Sequence, residues 1–223
     1  EMIKKSNAIR EILFEDDNGI FLIEENFDDL WKIAQKGFDN YNVGNLYLGG
    51  KYGRIKPVFL SKYMSYTGIM GIYIPFTSEP TINADIPNQN LLSTISHEMA
   101  HQRGFAKEEE ANFIAYKANI NNPDERFQYS GYYLAMQYLM NEVYIENRDD
   151  YFLLYTELSD AVKRDMGYVR DYWATYEGKV EEVVTTMNDN YLKANNQIDG
   201  ARSYNGVVKL LLSEYKELKK EME

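Results

Sequence analysis

The feature that most constrains this chain is an H-E-x-x-H motif formed by His97, Glu98 and His101, within residues 91–116. These are the only 2 histidines among 223 residues, and their i, i+4 spacing places both imidazoles on one face of a helix. Two imidazoles so arranged can share one zinc ion, with the Glu98 carboxylate beside the open coordination position. There the carboxylate can take the proton from a zinc-bound water, whose pKa the metal lowers to about 7. The motif therefore predicts a metal site.

The residues around the motif predict a helix with an apolar side and a metal-binding side. Asn88 or Asn90 suits the N-terminal cap, and Gly104 suits the left-handed residue that ends a helix. The apolar positions recur at helical spacing, and they are Leu91, Leu92, Ile95 and Met99. Thr94 and both histidines fall on a different arc. We therefore expect the histidines to point away from the main core.

A zinc site of this kind needs a third protein ligand, and three carboxylates follow shortly after Gly104. Glu108, Glu109 and Glu110 lie at the start of a second predicted helix. We favour Glu108 because it shares a helical face with Asn112, one turn later. The amide oxygen of Asn112 is expected to accept the outer N–H of a ligand histidine and so orient its ring.

On these residues the chain resembles the gluzincin branch of the zincin metallopeptidases, in which H-E-x-x-H is followed by a glutamate on a second helix. More closely, the segments MSYTGIMGIYIPFT, SHEMAHQRGFAKEEEANFIAY and NDNYLKANNQIDGARSYNGVV are similar to a bacterial family of membrane-anchored proteins known only as a domain of unknown function. The likeness runs from Lys56 to Tyr215 and implies a zincin fold, a zinc cofactor and no known substrate. It matches Glu98 to the general base, and Asn112 stands where an aspartate is usual. The metal ligands carried over by position are His97, His101 and Glu108.

The resemblance also implies that a preceding part of the protein carries transmembrane helices, with this segment outside the bilayer and the extracytoplasmic side favoured. The chain begins with Glu1 rather than methionine and contains no run of about 18 apolar residues, so we expect no membrane contact from this segment itself. Its net charge of −11 argues against nucleic acid or anionic lipid as a partner, because either needs a basic patch. The lack of cysteine excludes disulfides and thiolate ligands.

The predicted elements give an α+β fold, which we interpret as one zincin-like domain over residues 1–223. Short β-rich stretches before the motif helix predict a small mixed sheet, at residues 58–60, 71–76 and 81–86. The helices predicted outside the motif region are at residues 3–14, 27–42, 128–147, 149–163, 165–195 and 205–221. The C-terminal part is therefore expected to be mostly helical. A subdivision into residues 1–120 and 121–223 is the alternative.

An edge strand is predicted to line the substrate cleft. In the resembled fold such a strand pairs with an extended peptide, and residues 71–76 are the expected strand, with Tyr73 as the candidate contact. Pro75 favours an edge position because it lacks a backbone donor. The alternative is a purely structural strand.

The polar, glycine-containing stretch 191–204 is a second candidate for the cleft. Arg202 or Tyr204 could donate a hydrogen bond to the oxyanion of a tetrahedral intermediate, a task that a second electrophile beside zinc commonly performs. The alternative is a structured loop that satisfies only its own backbone.

Three functions fit these residues. The first, which we favour, is a zinc endopeptidase in which Glu98 deprotonates the attacking water and passes the proton to the leaving amine. Its partner is a peptide or protein substrate. The second is a zinc hydrolase of a non-peptide amide, such as a cell-wall component, which the ligands alone do not distinguish. The third is a binding or scaffold module that retains zinc for structure, and Glu98 argues against it because a structural site needs no such carboxylate.

Overall fold

The computed structural model describes residues 1–41, 48–50, 52–178 and 204–221. Within these ranges the chain forms nine helices and one three-stranded sheet. The helices are α1 (Met2–Arg10), α2 (Phe27–Tyr41), α3 (Ser61–Ser65), α4 (Asn88–Gln102), α5 (Glu108–Ile120), α6 (Glu125–Glu146), α7 (Arg148–Thr156), α8 (Asp160–Ala174) and α9 (Tyr204–Glu221). The strands are β1 (Lys56–Pro57), β2 (Gly71–Ile74) and β3 (Glu79–Ile82). The prediction of a small mixed sheet followed by a mostly helical part is confirmed.

The sheet has the order β1-β3-β2, with β1 parallel and β2 antiparallel to β3. Strand β2 therefore lies at an edge, as predicted. Its register places Gly71 opposite Ile82 and Tyr73 opposite Pro80. Ile82 is completely buried and Pro80 is buried, whereas Ile72 on the other face is exposed. Since α4 packs against both β2 and β3, Gly71 and Tyr73 lie on the face of the sheet that covers α4.

The strands are shorter than predicted, and two of them are displaced. Residues 58–60 lead into α3 through a turn, and β1 precedes them. Strand β2 stops before Pro75, which begins the turn to β3, and Ser78 in that turn has a φ of 53°. Strand β3 ends at Ile82, and the chain leaves the sheet after Asn83, whose amide still donates to the carbonyl of Met70 and whose side chain accepts a hydrogen bond from the amide of Asp85.

Helix α4 lies at the centre of the fold and packs against α2, α5, α6 and the sheet. Its predicted apolar arc is buried, and it comprises Leu91, Leu92, Ile95 and Met99. Small polar residues of α4 join it to its helical neighbours. Ser96 Oγ donates to Asn119 Oδ1 on α5 at 2.5 Å, and the backbone N–H of Ser93 donates to Ser130 Oγ on α6 at 3.0 Å. These bonds fix α4 relative to both helices.

The helices after α6 begin and end at different residues from those predicted. The predicted helix 149–163 is interrupted because Ser159 accepts from the amide of Val162 and caps a new helix, α8. Helix α8 ends at Ala174 rather than continuing to residue 195, and residues 179–203 lie outside the described ranges. None of the helices in the described ranges combines the length and apolar character needed to cross a membrane.

Candidate metal centre

The structure brings the three predicted ligands together where α4 meets the start of α5. Glu108 Oε2 lies 3.2 Å from His97 Nε2, and Glu108 Oε1 lies 3.5 Å from His101 Nε2. The two imidazole rings are nearly perpendicular, with centroids 4.5 Å apart. One donor atom from each residue lies within 4.8 Å of the other two, so this group could hold a metal ion.

The distances from the two Glu108 oxygens to the histidine nitrogens are close to the donor spacing of a tetrahedral metal. Zinc binds imidazole nitrogen and carboxylate oxygen at about 2.0–2.1 Å, which places the ligands of one tetrahedral ion about 3.3 Å from each other. The two distances from the Glu108 carboxylate, 3.2 and 3.5 Å, lie on either side of that value. Three protein ligands leave a fourth position for water or substrate. The three donors found among the described residues therefore suit one tetrahedral ion with a further coordination position.

The end of α4 fixes the orientation of His101. Gly104 has a φ of 96°, as predicted for the residue that ends the helix, and its amide donates to the carbonyl of His101 at 2.9 Å. The amide of Phe105 donates to the carbonyl of Ala100 at 3.2 Å, which completes a Schellman motif. The same turn places the carbonyl oxygen of Phe105 2.7 Å from His101 Nδ1. His101 therefore donates through Nδ1 and presents Nε2 to Glu108.

The start of α4 differs from the prediction. Pro87 occupies the N-cap position, and no side chain caps the helix. Asn88 instead donates to the carbonyl of Phe21 at 3.1 Å, and Asn90 Oδ1 is buried without a hydrogen-bond partner among the described residues. The predicted Asn88 or Asn90 cap is therefore wrong, because Asn88 is used to hold another segment of the chain.

The electrostatics of the group favour a charged carboxylate at Glu108. Burial acts to raise the pKa of Glu108, but hydrogen bonds and charge interactions with His101 and His97 outweigh it and hold that pKa well below its usual range. Burial acts to lower the pKa of His101, but Glu108 outweighs it and raises that pKa. An anionic oxygen ligand is therefore already stabilised between two imidazoles.

Glu98 lies beside this group in a different environment. It is 4% exposed, and its Oε2 atom is buried without a hydrogen-bond partner among the described residues. Burial raises the pKa of Glu98, an effect that His97 and His101 partly offset and that Glu108 reinforces. Glu98 is thus a buried carboxylate with an unused oxygen and an increased affinity for a proton.

Strand β2 contacts two residues of the H-E-x-x-H motif. A Cβ atom built on Gly71 would lie 2.5 Å from Glu98 Oε1, so the backbone of β2 passes directly over this carboxylate. The ring of Tyr73 stacks on His101 with centroids 6.4 Å apart and an interplanar angle of 19°. The predicted edge strand therefore lies against Glu98 and His101.

A comparison with protein families gives a match over most of the chain. The family described as "Protein of unknown function (DUF3810)" matches residues 1–212. The chain belongs to the DUF3810 family. No curated protein and no solved structure matches the chain significantly. The prediction of an uncharacterised family is confirmed by this match, whereas the bacterial origin, the membrane anchor and the likeness to gluzincins stay predictions.

The predicted orienting role of Asn112 is wrong for this DUF3810 chain. The outer nitrogen of His101 is held by the Phe105 carbonyl, and Nδ1 of His97 is buried without a partner in the part of the chain that the structure describes.

Sequence reasoning also missed Gly71. A glycine at the start of a predicted strand signals a close backbone approach, and a Gly-Phe pair after a helix signals the Schellman turn.

The remaining predicted residues of the DUF3810 chain lie in or beside segment 191–204. Arg202 falls outside the described ranges, and so does the side chain of Tyr204. The backbone of Tyr204 begins α9, two residues before Gly206. A Cβ on Gly206 would lie 2.7 Å from Cβ of Glu109, so the start of α9 packs next to the residue that follows Glu108. Roles for Arg202 and Tyr204 stay predictions.

Proposed function

We propose that this chain is a zinc-dependent hydrolase, and specifically an endopeptidase with Glu98 as its general base. The observation that carries the proposal is the contrast between the environments of two neighbouring carboxylates. Glu108 is held in its charged form between two histidines, whereas Glu98 is buried with one oxygen unpartnered and its pKa raised. Two carboxylates whose environments push their pKa values apart suit two different roles, ligand and base.

The ligands of the proposed zinc are His97, His101 and Glu108. When bound, a zinc ion polarises a carbonyl group and lowers the pKa of water towards 7. The protein orients this set through the Phe105 carbonyl on His101 and through the first turn of α5, which carries Glu108. Glu98 is absent from the ligand group, which leaves its carboxylate available for proton transfer.

Glu98 performs the proton transfers of the proposed reaction. Its carboxylate accepts a proton from the attacking water and then donates that proton to the nitrogen of the leaving amine. The burial that raises its pKa brings its proton affinity closer to neutral pH, where a base must both take and release a proton. Strand β2 over the carboxylate limits access of bulk solvent to this oxygen.

Strand β2 is the proposed substrate-binding element. It lies at the edge of the sheet, and Gly71 and Tyr73 face α4, which carries Glu98 and both histidines. A peptide that adds to this edge as a further strand would pass its carbonyl groups next to the metal ligands. Tyr73, stacked on His101, is the proposed substrate contact on the face of β2 that covers α4.

The test is turnover of a mixed peptide library by the full chain and by Glu98→Gln, at equal zinc occupancy measured by elemental analysis. The amide is nearly isosteric and the ligands are untouched, so we expect unchanged zinc and at least a 10²- to 10⁴-fold loss of rate, the typical size of general-base catalysis. Glu110→Gln is the matched control, because Glu110 is a partly exposed carboxylate that pairs with Lys107.

The outcomes separate the three functions. Equal cleavage by wild type and Glu98→Gln would show that Glu98 is not the base. Zinc binding without cleavage of any peptide, but with Glu98-dependent hydrolysis of cell-wall amides, would favour the non-peptide hydrolase. Zinc binding without either activity would favour the binding module.

A further inference from the structure

The outer face of the sheet, which points away from α4, changes from polar to apolar towards the open edge. At β1 and β3 this face carries Lys56, Glu79 and Thr81, and Lys56 pairs with Glu79. At β2 it carries Ile72 and Ile74, which are 43% and 39% exposed. An edge strand with exposed isoleucines and no charge is a template for pairing with another strand, because charged residues are the usual protection of such edges.

The hydrogen-bond pattern shows which backbone groups of β2 are available. The amide of Asn83 donates to the carbonyl of Met70 at 2.8 Å, and Thr81 Oγ1 donates to the carbonyl of Ile72 at 3.0 Å. Carbonyls at even-numbered positions therefore point towards β3. Because bonded and non-bonded pairs alternate in an antiparallel ladder, the N–H and C=O groups of Gly71 and Tyr73 point towards the open edge. No strand in the described ranges pairs with that edge.

This pattern defines the environment of each side chain in an added antiparallel strand. Its residues opposite Gly71 and Tyr73 would form the bonded pairs and point their side chains towards α4 and the metal ligands. Its residues opposite Ile72 and Ile74 would form non-bonded pairs, in which side chains approach most closely. Close contact with two half-exposed isoleucines favours apolar, β-branched or aromatic side chains there.

We propose that β2 selects extended peptides whose alternate residues are apolar, with Ile72 and Ile74 as the specificity-determining residues. This inference rests on the proposed function, since it names the class of substrate for the same site. The strand that adds is the substrate itself rather than a second copy of the chain, because the bonding edge belongs to the residues that cover Glu98 and His101. A copy paired there would close the site.

The test measures binding rather than turnover. The protein is the full chain with zinc and Glu98→Gln, which suppresses cleavage. The probes are two fluorescein-labelled nonapeptides of identical composition, one with valine and serine alternating and one with the order Val-Val-Ser-Ser repeated, in which no two valines are two positions apart and so never lie next to each other on one face of a strand. We expect the alternating peptide to bind more tightly by fluorescence anisotropy. The alternating peptide places valines opposite both Ile72 and Ile74, whereas the control peptide can place a valine opposite only one of them. The expected difference is therefore one cross-strand pair, about 1.4- to 5-fold in affinity.

The specificity residues are tested in the same background with Ile72→Thr plus Ile74→Thr. Threonine keeps the β-branched shape and the strand propensity, so only the apolar contact is lost. We expect the double variant to lose the preference for the alternating peptide. The matched control is Ile145→Thr on α6, which is 67% exposed and should keep the preference.

Each remaining result overturns the inference. These results are equal binding of the two peptides, no binding of either, the same loss in Ile145→Thr, or a zinc-loaded dimer that Ile72→Thr plus Ile74→Thr dissociates in sedimentation experiments. The endopeptidase proposal is tested by a separate outcome. If the alternating peptide binds as expected but zinc-loaded wild type never cleaves it or any other peptide, the endopeptidase proposal fails and the strand-pairing inference stands.

Discussion

The backbone of Gly71 lies so close to Glu98 that a methyl group on Gly71 would come within 2.5 Å of the Oε1 atom of the carboxylate. The Cγ and Cδ atoms of Glu98 would be 2.7 and 2.8 Å from the same methyl group. The absence of a side chain at this position therefore sets where the proposed base can sit. The three atoms nearest to such a methyl group all belong to Glu98, which is not one of the three residues of the candidate metal group.

Gly71→Ala is accordingly expected to lower kcat about 100-fold, the effect of misplacing a catalytic group by about 1 Å. Zinc content should stay at the wild-type value. The measurements are single-turnover kinetics and elemental analysis on the same sample. Gly167→Ala is the control, since a Cβ at Gly167 in α8 would meet nothing within 4 Å. Loss of zinc in Gly71→Ala, or unchanged kcat, would contradict the positioning role.

Asp165 is expected to be the most sensitive polar position for stability. It is fully buried and accepts hydrogen bonds from Arg10 Nε at 2.7 Å, Tyr129 OH at 2.6 Å and the amide of Phe21 at 3.0 Å. Asp165→Ala removes the fully buried carboxylate of the Arg10 ion pair and leaves Arg10 Nε, Tyr129 OH and the Phe21 amide without their acceptor, which costs about 3–5 kcal/mol even though Arg10 keeps Glu15 at 3.3 Å and the Gly19 carbonyl at 2.9 Å. The measurement is the free energy of unfolding in urea. Asp171→Ala, at a carboxylate on the same helix whose side chain is 69% exposed, should change it by less than about 0.5 kcal/mol.

The parts of the fold that depend on local chemistry could be predicted from the sequence. The H-E-x-x-H spacing, the apolar arc of α4 and the stop at Gly104 follow from helical geometry and backbone conformation alone. Helical phase favours Glu108 over Glu109 and Glu110, and Glu108 lies within 3.5 Å of both histidines. These features need only residues within one or two helical turns of each other.

The parts that depend on distant partners could not be predicted. Asn88 does not cap α4, because its side chain donates to the carbonyl of Phe21, 67 positions away in sequence. The orienting contact expected from Asn112 is made to His101 by the Phe105 carbonyl at 2.7 Å, a consequence of the turn geometry after the helix. The approach of Gly71 to Glu98 depends on packing of the sheet against α4, which no local pattern encodes.

Gly104→Ala tests whether the helix end positions a metal ligand. A Cβ at Gly104 would meet no atom within 4 Å, so the substitution acts through its φ of 96° and not through a clash. A non-glycine residue in the left-handed region costs about 1–2 kcal/mol, and relief of that strain moves the Phe105 carbonyl away from His101. We expect about tenfold weaker zinc binding by competition with a chelator. Gly178→Ala, which also meets nothing, should bind zinc normally, and equal affinity in both variants would contradict the coupling.

The last prediction distinguishes the ligand glutamate from its neighbour. Removing an outer partner of a metal ligand costs about 10- to 100-fold in affinity, so removing a ligand outright in Glu108→Ala should cost more than about 100-fold. Glu110→Ala should have little effect, because that carboxylate pairs with Lys107 at 3.1 Å on the surface of α5. His97→Ala and His101→Ala should lose zinc as Glu108→Ala does.

The measurement is zinc content after dialysis against a chelator, together with the unfolding temperature, which falls when a ligand that binds only the folded state is removed. Zinc retained in all three ligand variants would exclude the site, and zinc lost only in Glu110→Ala would mean that the ligand lies one half-turn away on α5.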